Sequence, residues 1–336
     1  MKLSLVELST LEPNSTRHEA LQNSITTARL AERYGFERIW VAEHHGTRSI
    51  AGRAPEVLMA AIAANTKTIR VGSGSVLLNH YSPFKVAETF CTLNEIFPNR
   101  IDLGAGRATT GQILDIALQQ DRSKAYHSNS DQQILELVSW LQGSFPADHP
   151  FATTPIHTIE SKPQLHLLGS SPWSASAAAA LGLRYVFAGF INQHQAWNIM
   201  SSYRNGFQPA AGEVGVGAPE AILAVHAVCA DTTQEAARQL APVTLMYRNL
   251  SMGILDGALP SPDDAVEELG GLPEIVRYQA GSRLIPKFIG GTQEEVGQQL
   301  HDIARDFAVD EIMIQDMMTD FAARKRSLEL LSAAIS

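Results

Sequence analysis

The chain has 336 residues, 45% of them hydrophobic and 18% charged, and its 26 basic and 35 acidic side chains give a formal net charge of −9. That composition excludes a disordered chain and suffices for one large α/β barrel or two ordinary domains. No basic stripe marks a nucleic-acid partner, and no run reaches the ~20 apolar residues that a bilayer span needs.

Strand and helix signals alternate from the first residue. Leu3 to Leu8 reads as a strand; Glu7 interrupts its apolar run, which argues against a signal peptide and for a cytoplasmic protein without a membrane partner. Ser15 or Thr16 caps a helix from His18 to Tyr34, and Gly35 stops it. The strand Ile39 to Ala42 then runs out into Glu43, His44 and His45. Helices from Pro55 to Ala64 and from Pro83 to Phe97 flank a strand from Ile69 to Leu78, and Ile101 to Gly106 is the fourth strand. A helix from Asp131 to Gln142 and a loop with Pro146, Pro150 and Pro155 lead to the strand Gln164 to Leu168 and the helix Ser174 to Leu181. Tyr185 to Ala188, a helix from Gln193 to Asn205, Ile222 to Ala230, a helix from Thr233, Glu311 to Gln315 and Phe321 to Leu331 complete the series.

The strands are apolar along most of their length, as in parallel strands covered on both faces. Eight strand–helix units argue for an α/β (β/α)8 TIM barrel, with a doubly wound sheet and a small second domain as the competing architecture. No shift in composition divides residues 1–336, so a single domain is expected. Tyr247 to Pro286 shows no clear period and reads as an insertion, a mobile lid, before the last helix–strand unit.

A parallel barrel carries its active site at the carboxyl ends of its strands. That rule gathers Glu43, His44, His45, Ser73, Gly74, Ser75, Gly104, Gly106, Arg107, Gly169, Ser170, Ser171 and Gly189 at one mouth. Glycine at such ends lets a flat ligand approach the backbone. Ser170, Ser171 and Ser174 surround the start of a helix, where free N–H groups and the helix dipole favour a phosphate, although simple N-capping explains most such serines. Arg107 offers a fixed cation beside it. His44 suits acid–base work near neutral pH. Successive strand residues face opposite ways, so one of His44 and His45 at most points inward. No H-x-x-x-H follows, and Cys91 and Cys229 have no CxxC partner, so neither a metal site nor a disulfide framework is indicated. Gly104-Ala-Gly106 lacks the third glycine of a dinucleotide fingerprint, and neither a P-loop nor a G-x-S-x-G elbow occurs.

Four segments together resemble the bacterial luciferase-like flavin-dependent monooxygenases: Tyr34 to His45, Val71 to Ser75, Asn99 to Arg107 and Gly290 to Val296. The resemblance spans nearly the whole chain and implies the same barrel fold. It implies FMN, used as a diffusible reduced form from a separate NAD(P)H flavin reductase. Reduced flavin reacts with O2 at C4a, and the peroxide oxidises a small organic substrate. By position, His44 resembles the acid–base histidine beside the flavin, and Gly74-Ser75 a non-proline cis peptide under its ring. Arg107, Ser171 and Ser174 resemble the phosphate binders. Gly106, Gly169 and Ser170 complete the cofactor contacts expected at these strand ends. Gly106 stands where luciferase itself has a reactive cysteine, and Ser170 replaces an acid, which argues against the light-emitting aldehyde reaction. Family members are often dimers, and the helices from Pro55 and Pro83 are candidate homodimer surfaces. Two alternatives remain: a flavin-binding protein without turnover, and a hydride-transfer enzyme using F420. The substrate is expected to be recognised by Tyr247 to Pro286 and by the loop Thr109 to Asp131.

Overall fold

A computed structural model describes residues 1–108, 110–118, 129–153, 162–210, 214–254 and 257–335. Residues 109 and 119–128 of the loop from Thr109 to Asp131, and Pro155, lie outside these residues. The elements run β1 (Lys2–Glu7), α1 (Arg17–Arg33), β2 (Arg38–Val41), α2 (Pro55–Ala64), β3 (Arg70–Ser73), β4 (Val76–Leu77), α3 (Pro83–Ile96) and β5 (Ile101–Gly106). They continue with α4 (Gln112–Leu118), α5 (Ser130–Gln142), β6 (Gln164–Gly169), α6 (Pro172–Ala180), β7 (Arg184–Ala188), α7 (Ala196–Asn205) and β8 (Ala221–Cys229). Last come α8 (Thr233–Ser251), α9 (Pro262–Leu269), β9 (Ile289–Gly291), α10 (Gln293–Asp306), β10 (Glu311–Gln315) and α11 (Phe321–Ile335).

Eight parallel strands close a barrel in the order β10-β1-β2-β3-β5-β6-β7-β8, with β8 pairing back onto β10. The expected (β/α)8 architecture is therefore present, and the doubly wound alternative is not. Alternate residues divide between two cores, as a period of two requires. Leu3, Leu5, Ile39, Val41, Leu103 and Leu165 pack outward against the helices. Val6, Leu8, Trp40, Ala42, Ala224 and Met313 fill the interior. Trp40 is fully buried there, and Gly72 is what admits it: a Cβ at Gly72 would lie 2.5 Å from Trp40 Nε1.

The strand expected from Ile69 to Leu78 is two strands. The Gly74–Ser75 peptide is cis and parts β3 from β4, and each piece pairs with β5. Thr16, not Ser15, caps α1, in a reciprocal box with Glu19. Between β8 and β10 the helix from Thr233 runs on to Ser251, past Pro242, and its Leu240 and Val243 join the inner core. Within the stretch read as lacking a period, α9 packs Ala265 onto Ala241 and Leu245 of α8. Ser49 Oγ donates to Gly257 O at 2.7 Å and Thr319 Oγ1 to Pro260 O at 2.9 Å, which pins this segment to the loops after β2 and β10. No helix among the described residues is long and apolar enough to cross a membrane.

Two buried histidines give the barrel a pH dependence. His166, edge-on to Trp40 at 4.8 Å, is pushed down by burial to about 3, against the opposing pull of Asp102. Burial also lowers His226, to about 4. An unfolded histidine titrates near ~6.5. Below that pH the unfolded chain takes up protons that the folded chain refuses, so stability is present above ~6.5 and is lost as pH falls toward the folded values. Each histidine should remove ~2 kcal/mol by pH ~5. Urea midpoints measured between pH 7 and pH 5 should fall accordingly, and His226→Phe should flatten the dependence.

Candidate active site

One cavity of ≈ 550 Å³ opens at the carboxyl ends of the strands. Its volume falls within the usual ~300–1,000 Å³ of small-molecule pockets. Every residue singled out at the sequence level as catalytic or cofactor-binding lines it: His44, Gly74, Ser75, Gly106, Arg107, Gly169, Ser170, Ser171 and Ser174. The ends of four strands bring them together, β2, β3, β5 and β6. Leu77 of β4, then Ala188, Phe190 and Ile191 at the end of β7, and Gln315, the final residue of β10, complete the lining.

His44 lies three residues beyond the end of β2 and lines the cavity. It is half-buried, and its Nδ1 is fully buried with no hydrogen-bond partner. Burial first, and then the neighbouring His45, push its pKa below the ordinary histidine value, with Glu43 opposing. The imidazole is therefore neutral at pH 7 and able to take a proton.

His45 departs from the alternation argument, because both histidines line the cavity. Strand β2 ends at Val41, so by residue 45 the chain has left the sheet and period two no longer holds. Glu43 pairs with His45 rather than with His44. Its carboxylate, 5% exposed, lies 2.6 Å from His45 Nε2 and accepts from Tyr81 Oη at 2.6 Å and from the Leu77 N–H at 2.8 Å. It thereby ties the end of β2 to β4, the strand that follows the cis peptide. Burial, and then Glu43, push the Tyr81 phenol well above its ordinary value. Nothing in the local sequence marks Tyr81 as part of this site.

Gly106 serves packing in addition to ligand access. A Cβ there would sit 2.3 Å from Ser75 Oγ, so glycine on β5 is what lets the cis-linked Ser75 seat. Across the mouth, Ser171 caps α6 and its Oγ accepts from the Ser174 N–H at 3.4 Å. The Ser174 hydroxyl is already engaged: it donates to Ser171 O at 2.8 Å and lies 3.1 Å from Tyr185 Oη. Ser174 thus contributes to the cap, whereas Ser170 and Ser171 border the open space. Arg107 stacks over Trp173 at 4.4 Å, and Trp173 Nε1 donates to Asp131 at 2.8 Å. An exposed guanidinium is held in this way beside a helix N-terminus, an arrangement suited to an anion. Among the described residues no group of three or more His, Cys, Asp or Glu is placed to hold a metal.

Comparison with known proteins agrees with this geometry. The family profile described as luciferase-like monooxygenase matches residues 1–311. The N-acetyl-S-alkylcysteine monooxygenase of Bacillus subtilis is 33% identical over 346 residues, covering 100% of this chain and 98% of its own. A luciferase-like monooxygenase of Escherichia coli strain K12 is 34% identical over 97% of this chain and 95% of its own. The crystal structure of apo-MsnO8 superposes with a TM-score of 0.88 at 39% identity, over 99% of this chain and 98% of that one. With its closed parallel barrel, its mouth built from the ends of β2, β3, β5 and β6, and a match over nearly its full length, the chain belongs to the luciferase-like monooxygenase family.

Proposed function

We propose that the protein is a two-component monooxygenase that binds reduced FMN and inserts one atom of O2 into a small organic substrate. The observation that carries this reading is the single cavity joining a neutral His44, the cis Gly74–Ser75 peptide and a cationic helix N-terminus at Arg107 and Ser171. The first suits proton transfer beside a reacting centre. The last suits a phosphate, while Gly74 and Gly106 line the same cavity without side chains. Bound reduced flavin would supply the two electrons for O2 activation, with the second oxygen atom leaving as water.

In this reading Arg107 and the N–H groups at Ser170 and Ser171 hold the phosphate, and Gly74, Ser75 and Gly106 border the ring. His44 takes the proton, and Glu43 holds the β2 end in place. A separate reductase delivers the reduced cofactor, and a homodimer forms through α2 and α3, where Val57 and Ile96 are 67% and 60% exposed. Proteins sharing the fold at 19% and 14% identity were solved with FMN in one case and with an F420-acetone adduct in the other, and likeness at that level concerns the fold alone.

Anaerobic titration with reduced FMN and, in parallel, with reduced F420 tests the proposal. Reduced FMN should bind in the micromolar range or tighter. A millimolar constant, or a preference for F420, would overturn it. Arg107→Met keeps an apolar stem on Trp173 and removes the charge. Losing a charge-assisted hydrogen bond should weaken FMN by ~10- to 100-fold. Binding of riboflavin, which has no phosphate, should not change, and a fluorescence-quenching titration of both ligands checks this.

A further inference from the structure

The cavity extends past the cofactor contacts into the sector between β7 and β10, where Ala188, Phe190, Ile191 and Gln315 line it. Ile191 is 63% exposed at the lip and Phe190 is half-buried behind it, so the wall is apolar. Gln315 is the polar exception. It lies on the inward parity of β10 with Met313, is 7% exposed, lines the cavity, and makes no side-chain hydrogen bond to the described residues. A carboxamide that faces a cavity without a protein partner offers two donors and an acceptor to whatever enters it.

The backbone at this residue is fixed from behind. His226 on β8 lies opposite Gln315 in the parallel register, and its Nδ1 is 3.3 Å from Gln315 O. A carbonyl oxygen only accepts, so Nδ1 carries the proton. The ring is 2% exposed and packs among Phe190 at 5.3 Å, Phe288 at 5.4 Å and Tyr247 at 6.2 Å. An aromatic cage thus holds the imidazole, and the imidazole holds the end of β10.

We infer that this sector is the substrate subsite, and that Gln315 selects an uncharged substrate with an apolar body and one carbonyl or comparable acceptor. The inference rests on the flavin reading, which assigns the β2–β6 side of the mouth to the cofactor. The carboxamide N–H2 donates to the substrate oxygen, while Phe190 and Ile191 cover its hydrocarbon. No Lys or Arg among the described residues lines this sector to neutralise a carboxylate. His226 acts as a positioning residue, through the Gln315 backbone.

The test uses 2-decanone and decanoate, a neutral carbonyl and a carboxylate on similar chains, titrated calorimetrically into the full-length protein saturated with FMN. The ketone should bind at least ~10-fold more tightly than the acid, since a buried charge without a partner is strongly disfavoured. Gln315→Leu should weaken the ketone by ~5- to 10-fold, the worth of one neutral hydrogen bond with its desolvation, and leave the FMN constant unchanged. Gln315→Glu, close in shape, should weaken the ketone as well and guards against a folding artefact. Equal or tighter binding of decanoate, ketone affinity within twofold of wild type in both variants, or no binding of either probe would overturn the subsite. If the wild-type protein fails to bind FMN, the flavin reading falls and the subsite with it. FMN binding alongside any of the adverse probe results removes the subsite alone.

Discussion

Replacing His44 with alanine is expected to lower kcat by ~10²–10⁴-fold, the usual contribution of a positioned acid–base group, and to leave FMN affinity nearly unchanged. The contrast follows from where the group sits. His44 lines the cavity, with one ring nitrogen buried and unpartnered, and it follows β2, whereas Arg107 and Ser171 of the phosphate seat follow β5 and β6. Removing it takes away a proton acceptor and leaves the cradle formed by Gly74, Gly106 and the α6 N-terminus. The pH profile carries the same signature. Burial and His45 depress the His44 pKa, so the active neutral form persists below the usual ~6.5 of a histidine before activity falls on the acid side. His44→Asn, which keeps a polar planar group but moves no proton, should lose both the rate and that acid limb. Stopped-flow turnover of wild type and both variants across pH 5–8, with FMN titrations alongside, measures this. A fall in kcat of less than tenfold, or an acid limb that persists in His44→Asn, would falsify the assignment.

The site was legible because its residues follow a positional rule that needs no tertiary knowledge. Glu43, His44, Gly74, Gly106, Arg107 and Ser171 all sit where a strand ends, and in a parallel barrel those ends meet. The same rule extends to Gln315, which ends the last strand and lines the cavity as well. The pairing of Glu43 with His45 is not legible from alternation, which stops with β2 at Val41. Helix α9 carries a local signal: Ser261 caps it, Pro262 opens it, and Asp263 and Asp264 occupy its first turn. What no local pattern could give is the polar floor of the barrel. Its members, Ser4, Arg38, Arg70, Asp102 and Glu311, are strung across the chain, and each alone looks like a charge or hydroxyl near a strand start.

That floor supplies the largest stability effect expected of a single change. Asp102 is fully buried near the amino-terminal end of β5. It accepts from Arg38 Nη1 at 2.8 Å, from Arg70 Nε at 2.9 Å and Nη2 at 2.5 Å, and from Trp40 Nε1 at 2.9 Å. Arg38 turns its other edge to Glu311, with Nε and Nη2 at 2.7 and 3.1 Å from the two carboxylate oxygens, and Ser4 donates to the same carboxylate. Two guanidinium groups therefore balance two carboxylates inside the barrel. Burial disfavours the Asp102 charge, but Arg38 first, and then His166 and Arg70, hold its pKa below the ordinary carboxylate range. Asp102→Ala leaves two cations sharing one carboxylate and the Trp40 N–H without an acceptor. Breaking a buried pair from one side costs ~3–5 kcal/mol, a large part of the ~5–15 kcal/mol that holds a folded protein. The variant should be poorly soluble or show a strongly lowered denaturant midpoint, although the substitution lies at the opposite end of the barrel from the cavity. The double variant Arg38→Met with Asp102→Ala should cost less than the two single changes summed, because it removes one of the stranded cations together with its partner. Chemical denaturation of wild type, both single variants and the double variant decides the point: a loss below ~1 kcal/mol for Asp102→Ala, or simple additivity in the cycle, would mean that the floor is an ordinary set of independent contacts.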